Sequence, residues 1–328
     1  MSATVLGDQT IAGAPAVGAL VGQSEAASAS RNALRRTGAT MLSQADLDRY
    51  HREGFIVVPD VLSEAEVLSL REATDEFVAK SRSVSAHNEI YDLEPGHSPE
   101  IPRVRRVKTP DRWDARFAAM VRHPGIVGCL QALWGENIRF DTSKLNMKAA
   151  GFGSPVEWHQ DWAFYPHTND DLAAVGIMID DIGIENGPLL VLPGTHRGPV
   201  YDHHADGIFC GAIDPAKVDL DFTSAVPCTG KAGSITIHHV RAVHGSAPNR
   251  SAHPRRLFLM QFRCADAWPL VNGPPDWAAW HALMVAGEDT LEPRCTAVPV
   301  RLPLPPAAHQ GSIYENQRGL ARRFFDRG

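Results

Sequence analysis

From Asn137 onward this chain breaks into short runs of β type, Arg139 to Lys148, Val175 to Ile179, Leu189 to Leu192, Ser234 to His238 and Leu257 to Phe262, separated by Gly, Pro and Asn turns. Before Asn137 the pattern is helical. Ser43 predicts the N-cap of a short helix, Gln44 to Arg52, that Gly54 ends, and Phe55-Ile56-Val57-Val58 reads as a strand. Ser63 and Glu66 form a capping box, after which Val67, Leu70, Ala73, Phe77 and Val78 share one helical face through about Lys80. The segment 82–110 is irregular and carries a basic patch, Arg103, Arg105, Arg106 and Lys108, which reads as a solvated face or a site for an anionic group; helical patterns resume at 111–122 and 124–134. Helices first and short strands later predict a mainly β fold with flanking helices, an antiparallel β-barrel or jelly roll.

A chain of 328 residues is long enough for one such domain with appendages. Residues 1–40, rich in Ala, Gly, Ser and Val without lasting periodicity, predict a mobile N-terminal extension. The domain is then expected over 41–328, with a helical part at 41–136, a β-barrel core at 137–265 and a C-terminal extension at 266–328. Trp277 and Trp280 in that extension have helical spacing and are expected to cover a core edge. The formal net charge of -6, without long blocks of one sign, leaves no footprint for nucleic acid or an anionic membrane, so a small-molecule partner is expected. Five scattered cysteines without a CxxC pair argue against a disulfide framework or a zinc ribbon and predict a reducing, cytoplasmic setting. No apolar run approaches the ~20 residues of a membrane span.

Glu157-Trp158-His159-Gln160-Asp161-Trp162 places an imidazole and a carboxylate two residues apart. On an extended strand both leave from the same face, so one metal ion can touch both. A third ligand from a distant strand would complete a two-histidine, one-carboxylate facial triad, which leaves three adjacent coordination positions open, as in non-haem iron(II) oxygenases. Alone, an HxD pair is weak evidence in a chain with 15 histidines.

A second stretch strengthens it. From Gly233 the chain runs Ser-Ile-Thr-Ile-His238-His239-Val-Arg-Ala-Val-His244-Gly-Ser246-Ala-Pro-Asn249, with Arg255 and Arg256 downstream: a strand, a turn, a histidine followed by Gly and Ser, and a basic residue eleven positions after that histidine. With WHQD at 158–161 and ENGPLLVLPGTH at 185–196, this stretch resembles the phytanoyl-CoA dioxygenase family, which includes ectoine and free-amino-acid hydroxylases. The resemblance runs from Gln44 to Phe262.

It implies a double-stranded β-helix, the cupin-like jelly roll. It also implies an Fe(II)- and 2-oxoglutarate-dependent dioxygenase that uses O2 to hydroxylate a C–H bond of a small metabolite, amino-acid-like or a natural-product intermediate, with release of succinate and CO2. Carried over residue by residue, the resemblance makes His159, Asp161 and His244 the iron ligands and Arg255 the partner of the distal carboxylate of 2-oxoglutarate, assisted by Ser246. Asn146 matches a position near the keto-acid end of that co-substrate. A guanidinium suits its role physically, because it offers a carboxylate a planar, bidentate fork. Trp162, Phe164 and Tyr165, following the HxD pair, are expected to line the substrate mouth.

Neighbours compete for these roles. His238 and His239 are near His244 in sequence, but neither is followed by Gly and Ser. Adjacent strand residues face opposite ways, so only one of Arg255 and Arg256 can reach the pocket, and the family spacing selects Arg255. His196 in the PGTH turn is expected to be hydrogen-bonded and structural. Asp161 stands where halogenating relatives carry Gly or Ala, which favours hydroxylation; desaturation, cyclisation, epoxidation or an acyl-CoA substrate would use the same cofactor chemistry. A non-catalytic metal- or ligand-binding barrel is the reading from another class, against which the complete set of triad, Arg255 and Ser246 argues.

Overall fold

The computed structural model describes residues 42–274, 276–307, 312–320 and 322–325, so the predicted extension at 1–40 lies outside the described residues. Helix α1 (Gln44–Glu53) begins where the Ser43 hydroxyl accepts from the Asp46 N–H and the Asp46 carboxylate takes the Ser43 N–H. It ends at Gly54, whose φ of 83° is left-handed and whose missing side chain leaves room for the His196 ring. Strand β1 (Phe55–Val58) and helix α2 (Glu64–Lys80) follow, the latter opened by the Ser63/Glu66 capping box. Next come β2 (Tyr91–Leu93), β3 (Val104–Lys108), α3 (Pro110–Trp113), α4 (Ala115–Val121) and α5 (Pro124–Trp134). The pattern predicted as one helix at 111–122 is two, because Asp114 takes an extended backbone and caps α4 through the Arg116 N–H.

The strands that follow are β4 (Ile138–Lys148), β5 (Val156–His159), β6 (Leu172–Met178), β7 (Leu189–Val191), β8 (His204–Ala205), β9 (Ile208–Phe209), β10 (Val226–Cys228), β11 (Ile235–His239), β12 (His244–Ser246) and β13 (Arg255–Cys264). Helix α6 (Trp277–His281), strand β14 (Met284–Ala286) and helix α7 (Ile313–Asn316) complete the elements. The larger sheet has the order β1-β11-β6-β13-β4-β3-β2 with β14 on β4; the smaller has β10-β7-β12-β5, and β8 pairs with β9. Every pairing between these strands is antiparallel, giving the jelly roll the sequence predicts.

Alternation along the strands divides the two faces of the larger sheet. Phe258, Met260 and Phe262 of β13 join Val175, Ile177, Ile235 and Ile237 in one core with Leu70, Phe77, Phe117 and Leu130 of the helices. Leu257 and Leu259 turn the other way, with Ala174 and Met178, toward the smaller sheet. The space between the sheets is where polar side chains converge.

Two segments differ from their sequence reading. The stretch 82–110 contains the edge strand β2 and its neighbour β3, the latter hidden because Val104-Arg-Arg-Val-Lys108 offers only two apolar residues and its Arg105 is buried by ion pairing. Arg106 and Lys108 are likewise engaged by Asp92, and Arg103 lies over the Phe152 ring, so three of the four basic residues in the patch are ion-paired rather than free. The C-terminal extension returns beneath β5: Phe324 and Phe325 pack on Trp158, Gln317 accepts from the Glu157 N–H at 3.0 Å, and Phe324 N–H donates to the Glu157 carboxylate at 2.8 Å. Trp280 is buried under Arg139 and Arg263, while Trp277 is exposed. Among the described residues no helix is long and apolar enough to cross a membrane.

Candidate active site

Strand β5 stops at His159, and Asp161 opens a single 3-10 turn, so the expected continuous strand through the HxD pair is a strand followed by a turn. Both side chains still reach one point. His244 on β12 lies directly opposite His159 in the pairing of β12 with β5, and their ring centroids are 4.1 Å apart. Asp161 completes the group: its Oδ1 is 3.7 Å from His159 Nε2 and its Oδ2 is 4.0 Å from His244 Nε2. The three are buried, and one ligand atom from each lies within 4.8 Å of the others.

Hydrogen bonding leaves these imidazoles able to act as metal ligands. His159 Nδ1 donates to the Glu157 carbonyl at 2.8 Å and His244 Nδ1 to the Ala242 carbonyl at 2.9 Å, which leaves both Nε2 lone pairs directed at Asp161. Burial, and for His159 also the neighbouring His244, lowers both imidazole pKa values and keeps the rings neutral. Burial works against ionisation of Asp161, yet Lys144 and the surrounding imidazoles outweigh it and hold the carboxyl well below its usual range. Two neutral imidazoles and a carboxylate in a buried cleft are a donor set that fits iron(II).

Arg255, the first residue of β13, enters the same cavity, which Asn146, Ser246, Leu257 and Leu259 also line. The guanidinium is buried, its Nε has no hydrogen-bond partner, and no carboxylate stands within 4 Å of it among the described residues. Burial pulls its pKa down to about 10. A buried, unpaired guanidinium is costly unless an anion joins it. Arg256 is on the opposite face, held by Asp180 and Asp75. Ser246 Oγ accepts from Lys148 Nζ at 2.8 Å, and the same ammonium also bonds the Ser246 and Ala247 carbonyls. Sequence reasoning missed Lys148; the alternation along β4 is the signal that puts it on the same face of the strand as Lys144 and Asn146, which line the cavity. The Asn146 Oδ1 is buried without a partner.

On the other side of Asp161 a wider cavity of about 850 Å³ opens, lined by Lys144, Phe164, Tyr165, Phe209 and Gln261. Trp162, expected with Phe164 and Tyr165, lines neither cavity: it packs with Leu172, Val240 and Ala267 and its Nε1 donates to the Pro299 carbonyl. The turn that directs Asp161 inward sends its neighbour into the core. Lys144, also missed, lines both cavities and has no carboxylate within 4 Å among the described residues. His238 Nε2 is 3.8 Å from Asp161 Oδ2, whereas His239 faces Asp170 and the His196 ring. His196 Nε2 bonds the His51 carbonyl at 3.2 Å, as expected of a structural histidine.

Comparison with known proteins agrees with this geometry. The sequence pattern of phytanoyl-CoA dioxygenase (PhyH) matches residues 50–257. A protein of Stutzerimonas stutzeri described as a probable alpha-ketoglutarate-dependent hypophosphite dioxygenase is 39% identical over 280 residues, covering 84% of this chain and 97% of that protein. The L-proline trans-4-hydroxylase of Streptomyces griseoviridis is 32% identical over 234 residues, 65% of this chain and 84% of that one. Among solved structures, EvdO2 from Micromonospora carbonacea var. aurantiaca, complexed with 2-oxoglutarate, superposes with a TM-score of 0.56 at 26% identity, over 73% of this chain and 99% of its own.

Proposed function

The chain belongs to the phytanoyl-CoA dioxygenase family of iron(II)- and 2-oxoglutarate-dependent oxygenases, and from that premise we propose that His159, Asp161 and His244 hold the iron, that Arg255 binds the distal carboxylate of 2-oxoglutarate, and that the substrate is a compact anion. When bound, iron and 2-oxoglutarate supply the O2-activating chemistry that hydroxylates the substrate and yields succinate and CO2. The chain's own residues bind and orient. Arg255 provides the planar fork in the inner cavity, Lys148 holds the Ser246 and Ala247 carbonyls, and Asn146 offers an amide in the same cavity. Phe164 and Tyr165 wall the outer cavity, where water must be excluded from the reacting atoms.

The observation that carries this reading is the buried Arg255 guanidinium without an anionic partner, in the cavity that also holds the triad. The test is a titration of 2-oxoglutarate into anaerobic iron-loaded protein, following the charge-transfer absorption of a keto acid on iron(II). Arg255→Ala is expected to lose on the order of 2 to 5 kcal/mol, or roughly thirtyfold to several thousandfold in affinity. Arg256→Ala, whose guanidinium is tied to Asp180 and Asp75, should bind 2-oxoglutarate within about threefold of the parent. Parental binding by Arg255→Ala would refute the assignment.

Lys144 supports an anionic substrate. Its ammonium stands at the junction of the two cavities, and burial draws its pKa below the ordinary lysine value with Asp161 opposing. The Stutzerimonas relative is described as acting on hypophosphite, a small anion, and a charge of that kind would relieve the desolvation of Lys144. The five free cysteines, four of them buried, accord with a reducing, cytoplasmic setting for this enzyme.

A further inference from the structure

His238 has no role in the triad and none in the co-substrate contacts above. It sits on β11 in the larger sheet, across the cavity from the smaller sheet that carries His159 and His244, and it is 1% exposed. Its Nδ1 is buried without a hydrogen-bond partner, and its ring lines the inner cavity beside Lys144 and Asp161. The Nε2 lies 3.8 Å from Asp161 Oδ2, too far for a hydrogen bond, and the ring centroid is 4.6 Å from that of His244. His238 lies outside the compact ligand group, and a fourth protein ligand would leave only two of six coordination positions, too few for a chelating keto acid and O2 together. With the proton on Nε2, Nδ1 is left a bare acceptor and the single N–H is free to serve a cavity ligand.

We propose that His238 is a specificity-determining residue, whose Nε2–H and the Lys144 ammonium form a donor pair holding a small oxyanion substrate next to the metal. The two come from different strands of one sheet, β11 and β4, and both line the cavity at Asp161. An ammonium alone would hold an anion without orienting it; a directional imidazole donor on a second oxygen fixes which substituent faces the metal. A substrate with a large apolar body gains nothing from an imidazole at this position, whereas a compact ion with several acceptor oxygens uses both donors. This inference deepens the function proposed above and rests on it.

The test uses the full-length protein loaded with iron(II) and 2-oxoglutarate without O2, sodium hypophosphite as probe, and calorimetric titration of the probe alongside the 2-oxoglutarate absorption. His238→Phe should weaken hypophosphite binding by about tenfold or more, while His238→Gln, which restores an N–H donor, should stay within about threefold of the parent. Lys144→Met should weaken it as well, and the double variant should lose less than the product of the two single losses, since both donors grip one ion. The 2-oxoglutarate absorption should titrate alike in the parent and in His238→Phe. Three results would overturn the proposal: parental hypophosphite affinity in His238→Phe, no hypophosphite binding by the parent, or a fall in iron or 2-oxoglutarate affinity as large as that for hypophosphite, which would make His238 a positioning residue for Asp161. If the parent shows no 2-oxoglutarate absorption, the co-substrate reading fails by itself, and the calorimetric comparison still decides the role of His238.

Discussion

Asp161 is the residue on which the site turns. It stands within 4.0 Å of three Nε2 atoms, those of His159, His238 and His244, and within electrostatic reach of Lys144, so a single carboxylate balances a cluster of donors. Removing it subtracts one of the three proposed metal ligands and few apolar contacts. Asp161→Ala and His159→Ala are therefore expected to keep the fold, seen as an unchanged far-ultraviolet circular dichroism spectrum, and to lose both the iron-dependent rise in melting temperature and turnover. Iron-dependent turnover retained in both variants would sink the triad assignment. The near pair Arg255 and Arg256 shows how one residue of register decides function: period-two alternation sends the first into the cavity and the second to Asp180 on the other face.

At the scale of elements, the unexpected part is what lies around β5. Strand β3, the loop at Ser154 and the C-terminal helix α7 meet at the buried Arg105 guanidinium, which is paired with two carboxylates. Arg105 Nε bonds Glu94 at 3.0 Å and Arg105 Nη1 bonds Glu315 at 2.7 Å, while Ser154 donates to Glu94 through both its N–H and its hydroxyl. Arg105 and Glu94 are each nearly inaccessible, so Arg105→Ala strands a carboxylate and should cost about 3 to 5 kcal/mol in urea unfolding. The double change Arg105→Met with Glu94→Gln should recover much of that loss, because neither charge is then left buried. A single variant as stable as the parent would show that water reaches Glu94. Further along, Gly245 of β12 lies against Phe325, where a Cβ would come within 3.1 Å of the ring, so the glycine of the His-Gly-Ser motif lets the C-terminal extension pack under the metal strand.

Across the whole molecule, buried histidines link stability to pH. Burial, with Arg263 second, pushes His167 down to about 3, and burial pushes His203 down to about 4. Each ring nitrogen that would gain a proton already accepts a hydrogen bond, His167 Nε2 from Arg263 and His203 Nε2 from the Gln160 N–H. Both values lie below the ordinary ~6.5 of an unfolded histidine, so the unfolded chain binds more protons in the interval between. The stability they contribute is complete above that value and is lost as pH falls through it toward 4 and 3; at pH 5 each accounts for about 2 kcal/mol. The urea midpoint of metal-free protein should thus drop between about pH 7 and about pH 5, and a flat profile would contradict the burial of these rings. The thiols give an independent check: Cys295 is exposed and Cys129, Cys210, Cys228 and Cys264 are buried. A thiol reagent should titrate one group in the native protein and all five in denaturant, and fewer than five would reveal a disulfide.

Local pattern was enough to indicate the helices and most strands, since caps such as Ser43 and Ser63 and runs such as Leu257 to Phe262 act over a few residues. The two-residue spacing also marked His159 and Asp161 as a candidate metal pair, while His244 and Arg255 entered only through the family resemblance carried by the WHQD and HGS motifs. What sequence could not decide was which side chains share a space from strands far apart in the chain. Lys144, Lys148 and His238 carry no motif; only the pairing of β4 with β13 and of β11 with β6 brings Lys144 and His238 to the cavity at Asp161 and Arg255 and Lys148 to Ser246 at its wall. Trp162 was assigned to the substrate mouth by adjacency, and the turn after His159 placed it in the core instead. Arg105, Arg106 and Lys108 looked free until Asp92, Glu94 and Glu315 closed on them. Burial and charge pairing are properties of neighbours in space, and those neighbours exist only once the sheets have stacked.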